Sequence, residues 1–153
     1  ISACLVGSEM CIRDRVKRAV ANGAKLRAGG VLDDNSAYYS PAVLTDVPVG
    51  SDEYYEEFFG PVAEIYKVSS EEEAVELANN SYQGLGGAVF SEDTDRAIKV
   101  ADQIETGMIH VNLGQYFSAV LPFGGVKRSG FGRELSVFAL DEFVNKQYLY
   151  VND

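Results

Sequence analysis

Apolar residues recur at Val16, Ala19, Val20 and Ala24, the spacing of one face of a helix, and Gly23 or the Gly29-Gly30 pair can end it. A strand is expected in YYSPAVLTDV, residues 38 to 47, and a second in PVAEIYKV, residues 61 to 68, where Val62, Ile65, Tyr66 and Val68 are β-branched or aromatic. SSEEEAVELANN follows, with Ser70 and Glu73 placed as a capping box and Ala74, Val75, Leu77 and Ala78 as one buried face, so a helix is expected there. GLGGAVF (84 to 90) reads as a short buried strand. SEDTDRAIKVADQIETG reads as an amphipathic helix with Ala97, Ile98, Ala101 and Ile104 inward and Gly107 as its stop, and MIHVN as another strand.

Strand, helix, strand, helix, strand at this spacing makes two crossover units, so the chain is expected to be α/β with those three strands parallel in one sheet. Ligands on such sheets sit at the carboxyl ends of the strands. Directly after Asn112 comes LGQYFSAVLPFGGVKRSGFGRE, too long and too rich in glycine for a simple connection and lying where a site is expected. A short helix around Leu135 to Glu142 and a terminal strand near Val144 to Val151 complete the pattern.

Composition narrows the partners. The chain has 153 residues, 46% apolar and 24% charged, enough for one domain with a real core. Its net charge of -10 argues against nucleic acid and anionic lipid, both of which reward a basic surface. No apolar run reaches the roughly 18 residues a membrane span needs, and no secretory signal opens the chain, so a cytoplasmic location is expected. Cys4 and Cys11 fit neither a C-x-x-C motif nor a disulfide framework. The opening ISACLVGSEMCIRDR lacks the period that follows it and resembles a translated library adapter. Residues 1–15 are therefore expected to be a non-native leader, and the chain a fragment.

Two features invite chemistry and each has a plainer reading. FGGVKRSGFGRE lacks the Lys-Ser/Thr ending of a phosphate loop and the third glycine of a dinucleotide fingerprint, which leaves a tight loop of closely packed backbone. His110 has no second histidine or a cysteine beside it, so it is read as structural and no metal is assigned. The second feature is YYEEFFGPVAEIY, residues 54 to 66. Glu56 and Glu57 form either a solvated acidic turn or a ligand contact, since carboxylates among rings cost free energy unless paired. In an extended segment they point to opposite faces, which rules out a shared pair of glycosidase type. Phe59 would then share a face with Glu57. A carboxylate acceptor beside an aromatic wall suits a sugar attached to a flat ring.

The motifs E-E-F-F-G-P-V, A-N-N-S-Y-Q-G-L-G-G-A-V-F, G-M-I-H-V-N and P-F-G-G-V-K-R-S-G-F-G-R-E-L occur in that order, and they resemble the successive C-terminal motifs of the aldehyde dehydrogenase superfamily. The resemblance runs from about Val16 to Val151 and is nearest to the succinate-semialdehyde type. It implies a partial catalytic domain over residues 16–142 and a C-terminal oligomerisation strand over 143–153. By the same resemblance Glu57 binds the nicotinamide ribose of NAD or NADP, Phe59 packs near the nicotinamide, and Glu56 is a solvated neighbour. Phe117 and Phe123 line the aldehyde pocket, and Ser118 helps to hold the distal carboxylate of succinate semialdehyde. The family reaction uses a cysteine thiolate, hydride transfer and hydrolysis of a thioester. Neither Cys4 nor Cys11 has the G-Q-x-C context of that nucleophile, so this chain alone is expected to be inactive and, in the parent protein, to assemble into a homo-oligomer. The other reading is a non-catalytic binding or oligomerisation module that keeps the fold.

Overall fold

The computed structural model describes residues 8–31 and 38–152, and within the first helix the side chains from Cys11 onward. Residues 1–7 of the expected leader, Cys4 included, lie outside the described residues. The chain divides into two compact units between Lys67 and Val68.

In the first unit, α1 (Ser8–Ala21) starts eight residues before the periodic pattern predicts. Ile12, Val16 and Ala19 fall at helical spacing and are all buried. Gly23 takes a φ of 114°, which lets the backbone turn out of the helix, and Ala24 N–H reaches back to Ala19 O at 2.9 Å. β1 (Lys25–Ala28) pairs antiparallel with β2 (Ala42–Thr45). β2 pairs in parallel with β3 (Val62–Ile65), in register from Ala42 opposite Val62 to Thr45 opposite Ile65. Ala42 and Leu44 point to the face that α1 covers, and with Tyr39, Val47 and Phe58 they complete the core. Between β2 and β3 lies the one-turn helix α2 (Asp52–Tyr55), capped by the Ser51 hydroxyl, which accepts from Tyr54 N–H at 3.2 Å.

β3 carries a half-buried carboxylate. Glu64 Oε2 accepts from the Tyr66 hydroxyl at 2.6 Å, while Oε1 is buried with no partner among the described residues. Burial pushes the Glu64 carboxyl above its ordinary range, against the opposing pull of the Tyr66 hydrogen bond. Burial, and then the bond to Glu64, raises the Tyr66 phenol.

In the second unit α3 (Glu71–Asn79) has the predicted capping box with one shift of partner. Ser70 Oγ accepts from Glu73 N–H at 3.1 Å, and the Glu73 carboxylate returns to the N–H and hydroxyl of Ser69, both at 2.7 Å. β4 (Gln83–Gly84) pairs antiparallel with β7 (Val126–Lys127). β5 (Gly86–Val89), α4 (Thr94–Ala101) and β6 (Met108–Val111) form the crossover unit, with β5 and β6 parallel. α4 buries Ala97 and Ala101, whereas Ile98 is exposed. No residue of α3 is buried, against the expected buried face of Ala74, Val75, Leu77 and Ala78, because Ala74 and Ala78 border an open apolar cavity of about 530 Å³ together with β5, Val100 and Ile104.

The single three-stranded parallel sheet is not formed. β3 takes β2 as its parallel neighbour, and β5 and β6 make a separate pair. Periodicity says that a segment is a strand but not which neighbour it meets, and the neighbour of β3 is β2. A 3-10 helix covers Val137–Glu142. Residues 143–152 are exposed and belong to no sheet, and Tyr148 and Tyr150, two residues apart, stack at 6.5 Å as neighbours on one side of an extended segment do. No described helix is long and apolar enough to cross a membrane.

Two measurements probe these arrangements. A Cβ at Gly107 would run into the backbone of Gly124 and Gly125. Gly107→Ala should therefore cost about 1 to 3 kcal/mol, read as a lower urea midpoint. Because Glu64 binds its proton more tightly folded than unfolded, its stabilising contribution is full below the ordinary carboxylate range and is lost as pH rises through the raised folded value. Glu64→Gln should raise the urea midpoint at neutral pH, and that gain should shrink toward zero at about pH 4.

Candidate functional site

The E-E-F-F-G turn forms between α2 and β3. The C-terminal residue of α2, Tyr55, hands over to Glu56, which is extended, and the chain then bends at Phe59, whose φ is 51° although it carries a bulky ring. That left-handed residue breaks the two-residue alternation on which the shared face of Glu57 and Phe59 was predicted. The two nevertheless border the same cleft of about 340 Å³, with Cys11, Ile12, Arg15, Glu56 and Phe58. Phe58 turns into the core at 7% exposure and Phe59 stands out at 81%. The Glu57 carboxylate is exposed and makes no hydrogen bond or ion pair among the described residues.

Glu56 corrects the expectation of a solvated neighbour. Its Oε1 accepts from Arg15 Nε at 2.8 Å and its Oε2 from Arg18 Nη2, so it is a paired and half-buried anchor. Arg15 Nη1 also donates to the carbonyls of Glu57 and Phe58, at 2.9 and 3.0 Å. Asn22 Nδ2 donates to the buried Glu53 at 2.8 Å. Arg15, Arg18 and Asn22 recur at three and four residues along α1, a polar stripe beside the apolar one. That stripe was the available signal that α1 grips the turn. The ion pairs are partly exposed, so each contributes at most about 1 kcal/mol, and their main effect is to fix the backbone.

In the second unit the loop after β6 gathers the remaining predicted residues. Phe117 and Phe123 have ring centroids 5.7 Å apart, within the range of favourable aromatic pairs. Phe123 exchanges both backbone hydrogen bonds with Glu134, at 2.8 and 2.7 Å. Ser118 is half-buried beside Phe117, with Ser118 O accepting from Leu121 N–H at 3.2 Å and Ser118 Oγ from Val120 N–H at 3.4 Å. The glycine-rich segment after Phe123 is cross-braced by Arg133, whose Nη1 donates to the carbonyls of Gly125, Phe131 and Gly132. With its backbone groups turned onto Arg133, this segment is a brace for the aromatic pair. Two side chains anchor this loop by accepting backbone hydrogen bonds: Asn112 Oδ1, which no sequence signal marks, accepts from Ser91 N–H at 2.8 Å, and His110 Nε2 accepts from Tyr116 N–H at 3.3 Å. Among the described residues, no group of three or more His, Cys, Asp and Glu side chains could hold a metal ion.

A model of the aldehyde dehydrogenase family matches residues 9–149. The succinate-semialdehyde dehydrogenase [NADP(+)] of Deinococcus radiodurans is 51% identical over 146 residues, a match that covers 93% of this chain and 31% of the relative. The glutarate-semialdehyde dehydrogenase of Pseudomonas putida is 33% identical, with 92% and 29% covered. Among solved structures, the succinic semialdehyde dehydrogenase of Streptococcus pyogenes in complex with NADP+ superposes with a TM-score of 0.87 at 44% identity, over 95% of this chain and 32% of that one. The betaine aldehyde dehydrogenase of Staphylococcus aureus in complex with NAD+ gives 0.86 at 35% identity, over 90% and 28%. The chain thus spans about a third of the length of the curated relatives it matches.

Proposed function

The chain belongs to the aldehyde dehydrogenase family, and from that premise we propose that it is a section of an NAD- or NADP-dependent enzyme that oxidises an aldehyde to a carboxylic acid, succinate semialdehyde being the first candidate substrate. The observation that carries this reading is the Glu57 carboxylate, left without a partner among the described residues beside an outward-held Phe59 ring while its neighbour Glu56 is tied to two arginines. A carboxylate left in this way is free to accept the hydroxyls of a ribose, and the ring offers an apolar face to a flat heterocycle.

The residues present therefore fit the nicotinamide-ribose end of a dinucleotide, with Glu57 and Phe59 as its holders. When bound, that cofactor supplies the acceptor for the hydride of the aldehyde. Glu57 orients it through charge-assisted bonds of roughly 1.5 to 3 kcal/mol each where water is excluded. Phe117 and Phe123 form an apolar wall that suits the alkyl body of an aldehyde, and the Ser118 hydroxyl can donate to a distal carboxylate. Cys11 lacks the G-Q-x-C context of the family nucleophile, so the 153-residue chain is expected to show no turnover by itself. The exposed, β-rich segment 143–152 suits pairing with a second subunit, and a cytoplasmic enzyme is the setting in which these parts work.

In the full-length protein, Glu57→Gln should lower kcat/KM for the dinucleotide by about 10- to 100-fold while thiol modification of the nucleophile proceeds at the wild-type rate. Unchanged steady-state kinetics would remove Glu57 from the cofactor site. Ser118→Ala should raise KM for succinate semialdehyde by about 3- to 10-fold and leave KM for an uncharged aldehyde of similar length as it was. An equal rise for both aldehydes would assign Ser118 to the shape of the loop and not to the carboxylate.

A further inference from the structure

The loop that carries Phe117 and Ser118 leaves β6 at Asn112, and two side chains tether it. Asn112 has a φ of 55°, which Asn tolerates better than most residues, and its Oδ1 holds Ser91 N–H at the carboxyl end of β5. This tether fixes the root. The second lies further along: His110, opposite Ala88 in the β5–β6 ladder, turns its Nε2 to the backbone N–H of Tyr116 at 3.3 Å. Tyr116 directly precedes Phe117 and Ser118, so this bond sets the rotation of the chain at the point where the pocket residues begin.

The ring stands in a cavity of about 370 Å³ with Gly86, Ala88, Met108, Gly114 and Gln115 among its walls. β5 contributes only small uncharged residues there, β6 adds Met108 beside His110 itself, and the loop adds Gly114 and Gln115. Apart from His110 itself, none of the residues lining this cavity is charged or titratable. Glycine and alanine on the floor leave the imidazole room to move, and among the described residues its one hydrogen bond is that from Tyr116 N–H. An imidazole nitrogen accepts a hydrogen bond only in the neutral ring, because both nitrogens carry protons in the cation. The tether is therefore compatible with one protonation state only, and imidazole is the side chain that changes state between pH 5 and 8.

We propose that His110 is a positioning residue of the aldehyde-pocket loop, whose Nε2 holds Tyr116 N–H and so sets Phe117 and Ser118, and that protonation of the ring releases the loop and weakens its hold on the aldehyde. The idea rests on the reading of Phe117 and Ser118 as aldehyde contacts, and the experiment separates the two. In the full-length protein, aldehyde KM is measured between about pH 5.5 and 8 for the wild type, His110→Gln and His110→Phe, together with dinucleotide KM and kcat. Glutamine keeps an acceptor that does not titrate; phenylalanine keeps a ring and loses the acceptor. The wild type should show an aldehyde KM that rises about 3- to 10-fold toward acid, His110→Gln a flat one, and His110→Phe the raised value at every pH. Dinucleotide KM and kcat should follow the same pH course in all three proteins.

Hydrogen exchange at the Tyr116 amide reads the tether without any substrate. Its protection factor should fall toward acid in the wild type and stay constant in His110→Gln. An acid rise in KM that persists in His110→Gln, or a wild-type protection factor that ignores pH, would overturn the proposal. Should His110→Phe fail to fold, the wild type and His110→Gln decide the matter alone. A tether that responds to pH in a protein without aldehyde turnover would count against the functional reading and leave the role of His110 in the loop standing.

Discussion

The contact on which the second unit depends is backbone against backbone, where Gly107 at the entry to β6 lies on Gly124 and Gly125. Gly107 N–H bonds Gly84 O at 3.0 Å, and no side chain fits between the two layers. This close approach brings the far end of the long loop back to the strands from which it departs. Phe123 immediately precedes the stacked glycines, and its paired bonds with Glu134 keep it from rotating. The loop is thereby closed at both ends, Asn112 at the root and Phe123 at the return, and the ring of Phe117 meets that of Phe123. Loop closure costs entropy that grows slowly with length, and two fixed ends leave a short span for His110 to steady.

The first unit solves a similar problem by different means. There the irregular point is a left-handed phenylalanine, a conformation that costs of order 1 to 3 kcal/mol and persists only where the surroundings over-determine it. The surroundings supply that in three ways. Phe58 is buried in the core on one side of Phe59 and Gly60 packs on Ile12 on the other, while Glu56 is clamped by Arg15 and Arg18. The strain falls on the residue whose ring stands outward next to Glu57. Each candidate contact region is therefore irregular backbone outside the strands, held by polar anchors, Arg15 at Glu57 and Phe58 in the first unit and Asn112 and His110 at the loop in the second.

Much of this was legible in the residues. The helices over α3 and α4 and the strands β3, β5 and β6 follow from spacing and caps, because those signals act over a few neighbouring positions. What escaped was every feature that depends on a distant partner. The pairing of β3 with β2 is a question of edges, which periodicity does not address. Glu56 looks solvated in the sequence because its arginines lie about forty residues away, Arg15 at the end of the stretch expected to be leader and Arg18 just beyond it, both on α1. The period of two failed between Glu57 and Phe59 because a positive φ at a phenylalanine leaves no trace in composition. His110 was read as structural, which is correct as far as it goes, but its acceptor role depends on a loop backbone that sequence pattern does not place.

Exposed aromatic surface deserves different weight in different parts of this chain. Phe59, Phe117, Tyr148 and Tyr150 are all more than half exposed, and exposure alone would make four candidate contacts of them. They divide by what holds the backbone beneath. Phe59 and Phe117 sit on segments fixed by named hydrogen bonds within one or two residues, those of Arg15 and those of His110 and Ser118. Residues 144–152 have no ladder beneath them, and a stacked tyrosine pair there is what an extended segment produces by itself. A ring that the fold spends strain or hydrogen bonds to present is held in one place, as a ligand contact requires, whereas one on an unpaired segment is not. By that criterion the proposed small-molecule contacts rest on the two anchored turns, and the proposed association with another chain rests on the terminal segment.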